Sequence, residues 1–233
     1  MGSKVTAFLR DHWQLLLLVA LVFVFWRTPF LLPLRLLIVF FHEAAHAIAT
    51  VLTGGSVVEF VINANESGHV LSRGGSRFMT LTAGYLGSLL IGALLFLLAV
   101  RTRWDRPALG LLGAMIGAVT LFYIRALFPL VFGVAIAAAF VAIAYALRPA
   151  YSDFLLRLIG ATSMIYVPYD IFSDTIRGAA ARSDARMLAE EFGGATVLWG
   201  ALWLGISLWF ITFVLRYALR DPSNIQWRNP QTK

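Results

Sequence analysis

The stretch FFHEAAHAIATVLTG, Phe40 to Gly54, decides how this chain is read. On a helix, His42 and His46 project from one face, one turn apart. Two neutral imidazoles so placed can hold a tetrahedral zinc ion. Glu43 stands beside them, where it can act as general base toward a metal-activated water and then pass the proton to a leaving amine. Ala44 and Ala45 leave room beside a metal, and Gly54-Gly55 ends the helix. His42, Glu43 and His46 are the only ionisable groups between Arg35 and Glu59.

Outward from this motif the chain is apolar. Of its 233 residues, 60% are hydrophobic and 13% charged, with a mean hydropathy of +0.79. A soluble domain carries roughly 25% charged residues, so the composition implies an integral, multi-pass membrane protein. At that depth an unpaired carboxylate costs about 2.5–3.5 kcal/mol on insertion scales, a cost that a metal and a wet cavity would offset. The net charge is +7. Its arginines, among them Arg27, Arg101, Arg103, Arg106, Arg148, Arg177, Arg216 and Arg220, cluster at the ends of apolar runs as interfacial anchors do. They give no reason to expect a nucleic-acid partner. With no cysteine, disulfides, thiolate zinc sites and a cysteine nucleophile are excluded. The first apolar run, 13–26, lacks a small-residue cleavage site and reads as a retained anchor.

A spanning helix needs about 20 largely apolar residues. Segments 12–30, 33–53, 78–100, 107–125, 126–147, 154–176 and 195–219 approach that length. The expected fold is therefore all-α and polytopic: a six- to seven-helix transmembrane bundle with a small interfacial β-hairpin. One domain covers 1–220, followed by a polar tail, 221–233. The hairpin falls at 55–77, where β-branched and aromatic residues flank a turn-rich centre. Since an unpaired strand edge cannot face lipid, it must lie in the interface or line a cavity. Segment 178–193 reads as a loop and short surface helix with Asp184 as its N-cap. Thr80, Gly84, Ser88 and Gly92, each four apart, permit close helix packing.

Catalytic zinc keeps three protein donors and an open position. The other histidines are His12, near a terminus, and His69, in the hairpin. A carboxylate from IYVPYDIFSDTIRG, residues 165–178, is the stronger candidate. Asp170 and Asp174 stand at i and i+4 there. Pro168 removes a helical hydrogen bond, and an opened turn beside a carboxylate suits a metal site within a membrane. Asp170 is the first choice as third donor. Asp174 is the second, as alternative donor or as partner to a histidine N–H. Structural roles stay open for both; for Asp174 that role is an ion pair with Arg177 at i+3.

Taken in order, HEAAH, the hairpin, GYLGS, YDIFSD and the SDA of Ser183 to Ala185 resemble the M50 metallopeptidases, the site-2 protease clan. The M50B-like branch is the nearest match, from about the second span to the last. HEAAH is shared by many zinc peptidases; the ordered set is more specific. The resemblance implies intramembrane proteolysis of transmembrane or membrane-bound peptides in a lipid bilayer, with a bacterial plasma membrane favoured. It also implies zinc held by His42, His46 and an aspartate of YDIFSD, with Glu43 as base. The chain departs from better-known site-2 proteases: it has no NPxPxxDG stretch and no PDZ domain. YDIxxD stands in for the missing motif. Ser183 and Asp184 match the SDA element, for which helix capping is the simplest role.

On this reading the hairpin has a use. A substrate helix must unwind before its peptide bond can be attacked, and the edge at Val57, Glu59 and Val61 could take the unwound segment by strand addition. His69 reads as an exposed residue flanking the turn, and Asn65-Glu66-Ser67 as an accidental glycosylation pattern. Two alternatives belong to other classes: a catalytically silent relative that binds membrane helices, and a metal or proton transporter. An intact Glu43 argues against the first, and the absence of inverted repeats against the second.

Overall fold

Long runs without charge become helices because a helix satisfies every backbone N–H and C=O within the segment. The computed structural model describes residues 2–178 and 182–227. Its helices are α1 (Gly2–Phe25), α2 (Leu32–Leu52), α3 (Arg77–Arg101), α4 (Asp105–Tyr123), α5 (Leu127–Ala146), α6 (Pro149–Ile171), α7 (Asp184–Phe192) and α8 (Thr196–Ala218). Strands β1 (Ser56–Ile62) and β2 (Gly68–Arg73) form the hairpin. The expected polytopic bundle with a small two-stranded sheet is the architecture observed. Among the described residues, six helices are long and apolar enough to cross a membrane: α1 to α5, counting the 3-10 turn before α2, and α8. Helix α6 is as long but more polar, and it turns Ser152, Arg157, Thr162 and Ser163 inward.

Two boundaries differ from the sequence reading. The first helix ends at Phe25, because Pro29 starts a separate 3-10 turn, Pro29–Leu31. The expected span 154–176 divides: α6 runs through Pro168 to Ile171, then widens into a π-helical turn, Phe172–Ile176.

Helix α3 is central, packed between α2 and α6. Its small residues permit the approach. A side-chain carbon on Gly87 would come within 2.6 Å of Ala45, and one on Gly92 within 2.6 Å of Ser163. Facing them, Gly160 of α6 lies against the Phe96 backbone. Thr50 and Thr80 join α2 to α3 through their hydroxyls, 3.1 Å apart.

On another part of the bundle, the described residues of the polar tail, 221–227, are strapped across helix ends. Buried Arg157 bonds Asp153 and the carbonyls of Ala99 and Ser223. The Ser223 hydroxyl meets His12 Nδ1 at 2.8 Å. His12 is thus committed to a structural contact.

The hairpin packs on α2. Val61 pairs with His69 and Ile62 with Gly68, and the register slips by one residue at Val58, a bulge. Phe60 and Ile62 are buried, Phe60 with its ring 5.2 Å from that of Phe40. The turn is closed by Asn63 N–H to the Ser67 carbonyl, 2.8 Å, and Glu66 N–H to the Asn63 carbonyl, 3.1 Å. Short α7 docks on α3 and α8 through buried Ala185 and Leu188.

Candidate metal centre

The helical spacing of HEAAH brings both imidazoles to the α2–α3 contact. His46 Nδ1 lies 2.7 Å from the Thr80 carbonyl. A carbonyl only accepts, so Nδ1 carries the proton and Nε2 is left bare. That bare nitrogen is 3.0 Å from His42 Nε2.

The third atom comes from the start of α7. Asp184 Oδ2 lies 3.1 Å from His42 Nε2 and 3.3 Å from His46 Nε2. The sequence reading made Asp184 the helix cap. Instead Ser183 caps α7, accepting the Arg186 N–H, and Asp184 is freed to point inward as the first helical residue. It is 6% exposed, and no hydrogen-bond donor is aimed at its Oδ2.

These three atoms meet the geometric demand of a metal. Donors about 2.0–2.1 Å from a tetrahedral zinc stand about 3.3 Å from one another. The observed edges are 3.0, 3.1 and 3.3 Å. Gly84 supplies the space. A side-chain carbon there would lie 2.5 Å from His46 Cε1 and 2.6 Å from both Asp184 Oδ2 and His42 Nε2. Among the described residues this is the one group of three or more His, Cys, Asp or Glu whose donor atoms all lie within 4.8 Å of each other.

The centre opens into a cavity of about 660 Å³ that also reaches Glu43, His69, Asp170 and Asp174. Asp170 and Asp174 therefore share the cavity but stand outside the donor group. The reason is local: Pro168 leaves α6 helical through Asp170, and the backbone widens only afterwards. Asp170 and Tyr166 both line the cavity. Asp174 accepts from the Tyr85 hydroxyl at 2.9 Å, and the Tyr85 ring stands edge-on to His42 with centroids 4.8 Å apart. Asp174 thus meets Tyr85 rather than a histidine N–H. Nor is Arg177 its ion-pair partner, since that guanidinium lies over the Phe172 ring.

The hairpin meets the cavity with its turn and second strand, residues 66–71. Val57, Glu59 and Val61 belong to β1 and do not line it. His69 is exposed, as expected, and sits on the cavity wall. Glu43 is 5% exposed, with Gly68 of β2 packed against its carboxylate.

No curated protein and no solved structure matches this chain. A family model described as Peptidase M50B-like matches residues 15–214, which takes in every element from the middle of α1 nearly to the end of α8. With HEAAH on a spanning helix and a metal-compatible triad beside it, the chain belongs to the Peptidase M50B-like family.

Proposed function

We propose that this protein is an intramembrane zinc metalloprotease whose donors are His42, His46 and Asp184 and whose general base is Glu43. The observation that carries the reading is the triangle of two imidazole nitrogens and one carboxylate oxygen, with edges of 3.0–3.3 Å, beside a buried glutamate. Zinc bound there supplies a Lewis acid that polarises a peptide carbonyl and lowers the pKa of water to about 7.

The chain's own groups do the rest. Thr80 holds the His46 ring by its Nδ1–H, which keeps Nε2 available. Glu43 takes the proton from the attacking water and returns it to the amine nitrogen as the C–N bond breaks. A cavity of about 660 Å³ has room for a few residues of extended peptide, not for an intact helix. The substrate segment therefore enters unwound. Strand β2 borders the cavity and pairs only with β1, so its other edge is the one placed to receive that segment by strand addition. The substrates are transmembrane or membrane-bound peptides, because His42, Glu43 and His46 sit on a spanning helix.

Metal analysis of the purified full chain, with cleavage of a panel of quenched-fluorescent single-span peptides in liposomes, tests the reading. Glu43→Gln should keep one zinc per chain and lose about 10²–10⁴-fold in cleavage. Cleavage surviving that change, or wild-type protein free of zinc, overturns it.

A further inference from the structure

Glu66, at the hairpin tip, is the one described non-glycine residue with positive φ, +66°. Only a few per cent of non-glycine residues adopt this conformation, and it persists where neighbours hold it. Glu66 is held by its own N–H, which donates to the Asn63 carbonyl at 3.1 Å, and through its side chain by Arg35. Arg35 Nε meets Glu66 Oε2 at 2.8 Å. Arg35 is itself fixed: 9% exposed, on α2, it also donates to the carbonyls of Trp26 and Thr28 and lies over the Trp26 ring. The guanidinium thus ties the hairpin tip to the α1–α2 connection, at a point seven residues ahead of His42 on the same helix.

Two residues beyond Glu66, the chain touches Glu43. A side-chain carbon on Gly68 would lie 2.8 Å from Glu43 Oε1 and 2.9 Å from Glu43 Cγ. Gly68 is not among the positive-φ glycines. Glycine is there for close approach: a strand backbone pressed against a carboxylate. A side chain here would have to displace the Glu43 carboxylate, so the position of this backbone bears on where the carboxylate stands.

We infer that Arg35 and Glu66 are positioning residues for the general base. Their ion pair fixes the hairpin tip, the tip fixes the Gly68 backbone, and that backbone confines the Glu43 carboxylate. This rests on the proposed role of Glu43, and the test separates the two. A catalytic group displaced by about 1 Å loses up to 100-fold in rate. The Glu66 side chain is 32% exposed, so neutralising it should spare the fold.

The experiment uses the full chain in liposomes with the single-span peptide panel. It reads kcat, KM, zinc content and Tm for Glu66→Gln, Glu66→Asp, Gly68→Ala and the Arg35→Gln/Glu66→Gln double variant, with Glu43→Gln alongside. Glu66→Gln is expected to keep its zinc and its Tm within a few degrees, while kcat falls about 10- to 100-fold at unchanged KM. Glu66→Asp keeps the charge and should recover most of the rate. The double variant should be at least as slow as Glu66→Gln, since Arg35→Gln also removes the bonds to the Trp26 and Thr28 carbonyls. Gly68→Ala should lower kcat with zinc retained; if it does not fold, Glu66→Gln still decides. Wild-type kcat in Glu66→Gln beside an inactive Glu43→Gln overturns the positioning role alone. So does a loss confined to KM, a loss of zinc, or a faster rate, the last marking the tip as a lid. Activity in Glu43→Gln overturns the underlying reading instead.

Discussion

Gly84→Ala gives the sharpest test of the metal centre, because the added methyl enters the space between the donors. Its carbon would lie 2.5 Å from His46 Cε1, 2.6 Å from Asp184 Oδ2 and 2.6 Å from His42 Nε2, where ordinary contact begins at 3.4 Å. Each contact is thus about 0.8–0.9 Å too short, roughly four times the ±0.2 Å tolerance of a metal–donor distance. Helix α3 cannot simply retreat, since Gly87 and Gly92 fix it against Ala45 and Ser163. Ordinary overpacking costs about 1–3 kcal/mol. Displacing the donors adds more: disturbing even an outer partner of a ligand lowers affinity about 10- to 100-fold. We expect Gly84→Ala to bind zinc at least 100-fold more weakly, equivalent to about 2.8 kcal/mol. Gly92→Ala controls for packing, because its methyl would strike Ser163 and not the donors. The assay is zinc content at equilibrium across chelator-buffered zinc concentrations, with Tm measured in parallel. Wild-type zinc affinity in a folded Gly84→Ala protein would refute the assignment of the metal to this triangle.

Other perturbations separate the remaining roles. Asp184→Asn should abolish stoichiometric zinc, whereas Asp170→Asn and Asp174→Asn should retain it, read by metal analysis of the purified variants. Ser183→Ala removes the cap of α7 and should lower stability by about 0.5–2 kcal/mol, with the Tm shift larger in metal-loaded than in metal-free protein. Arg157→Met removes the buried ion pair with Asp153 and one of the bonds that hold the tail at Ser223. Breaking a buried pair in this way costs about 3–5 kcal/mol, seen as a fall in Tm and as proteolytic release of the tail.

What the sequence made legible follows from periodicity and cost. Six of the spans announce themselves by length without charge. The hairpin announces itself by β-branched runs around Asn63 to Gly68. His42 and His46 are legible because their spacing matches a helical turn and nothing else ionisable shares the stretch. Asp184 was harder. It lies 138 positions beyond His46 in a polar segment where an aspartate beside serine reads as a cap. Only the backbone reveals that Ser183 already satisfies the helix, leaving Asp184 free to turn inward. Asp170 and Asp174 stand out because carboxylates in apolar helices are costly; both line the cavity, outside the group of three close donor atoms. Gly84 belonged to a stripe read as packing. Three of its four members do pack, but Gly84 faces the triad, and spacing alone cannot separate the two uses.

The division of the donors has a thermodynamic consequence. Two stand on α2, a spanning helix locked to α3 by Thr80 and Gly87. The third stands on a helix of nine residues outside the spans, too short to be stable alone. Its other moorings include Ala185 and Leu188 in the core, Phe192 edge-on to Phe78, and an exposed ion pair from Glu191 to Arg77. A metal that bridges α2 and α7 therefore binds the docked form of α7 more tightly than any undocked form, and by linkage it stabilises docking by the same free energy. On the proposed donor set, metal binding and the docking of α7 are one equilibrium. Hydrogen exchange of the α7 amides should slow on zinc addition, while exchange in the core of α3, already closed by packing, should not change.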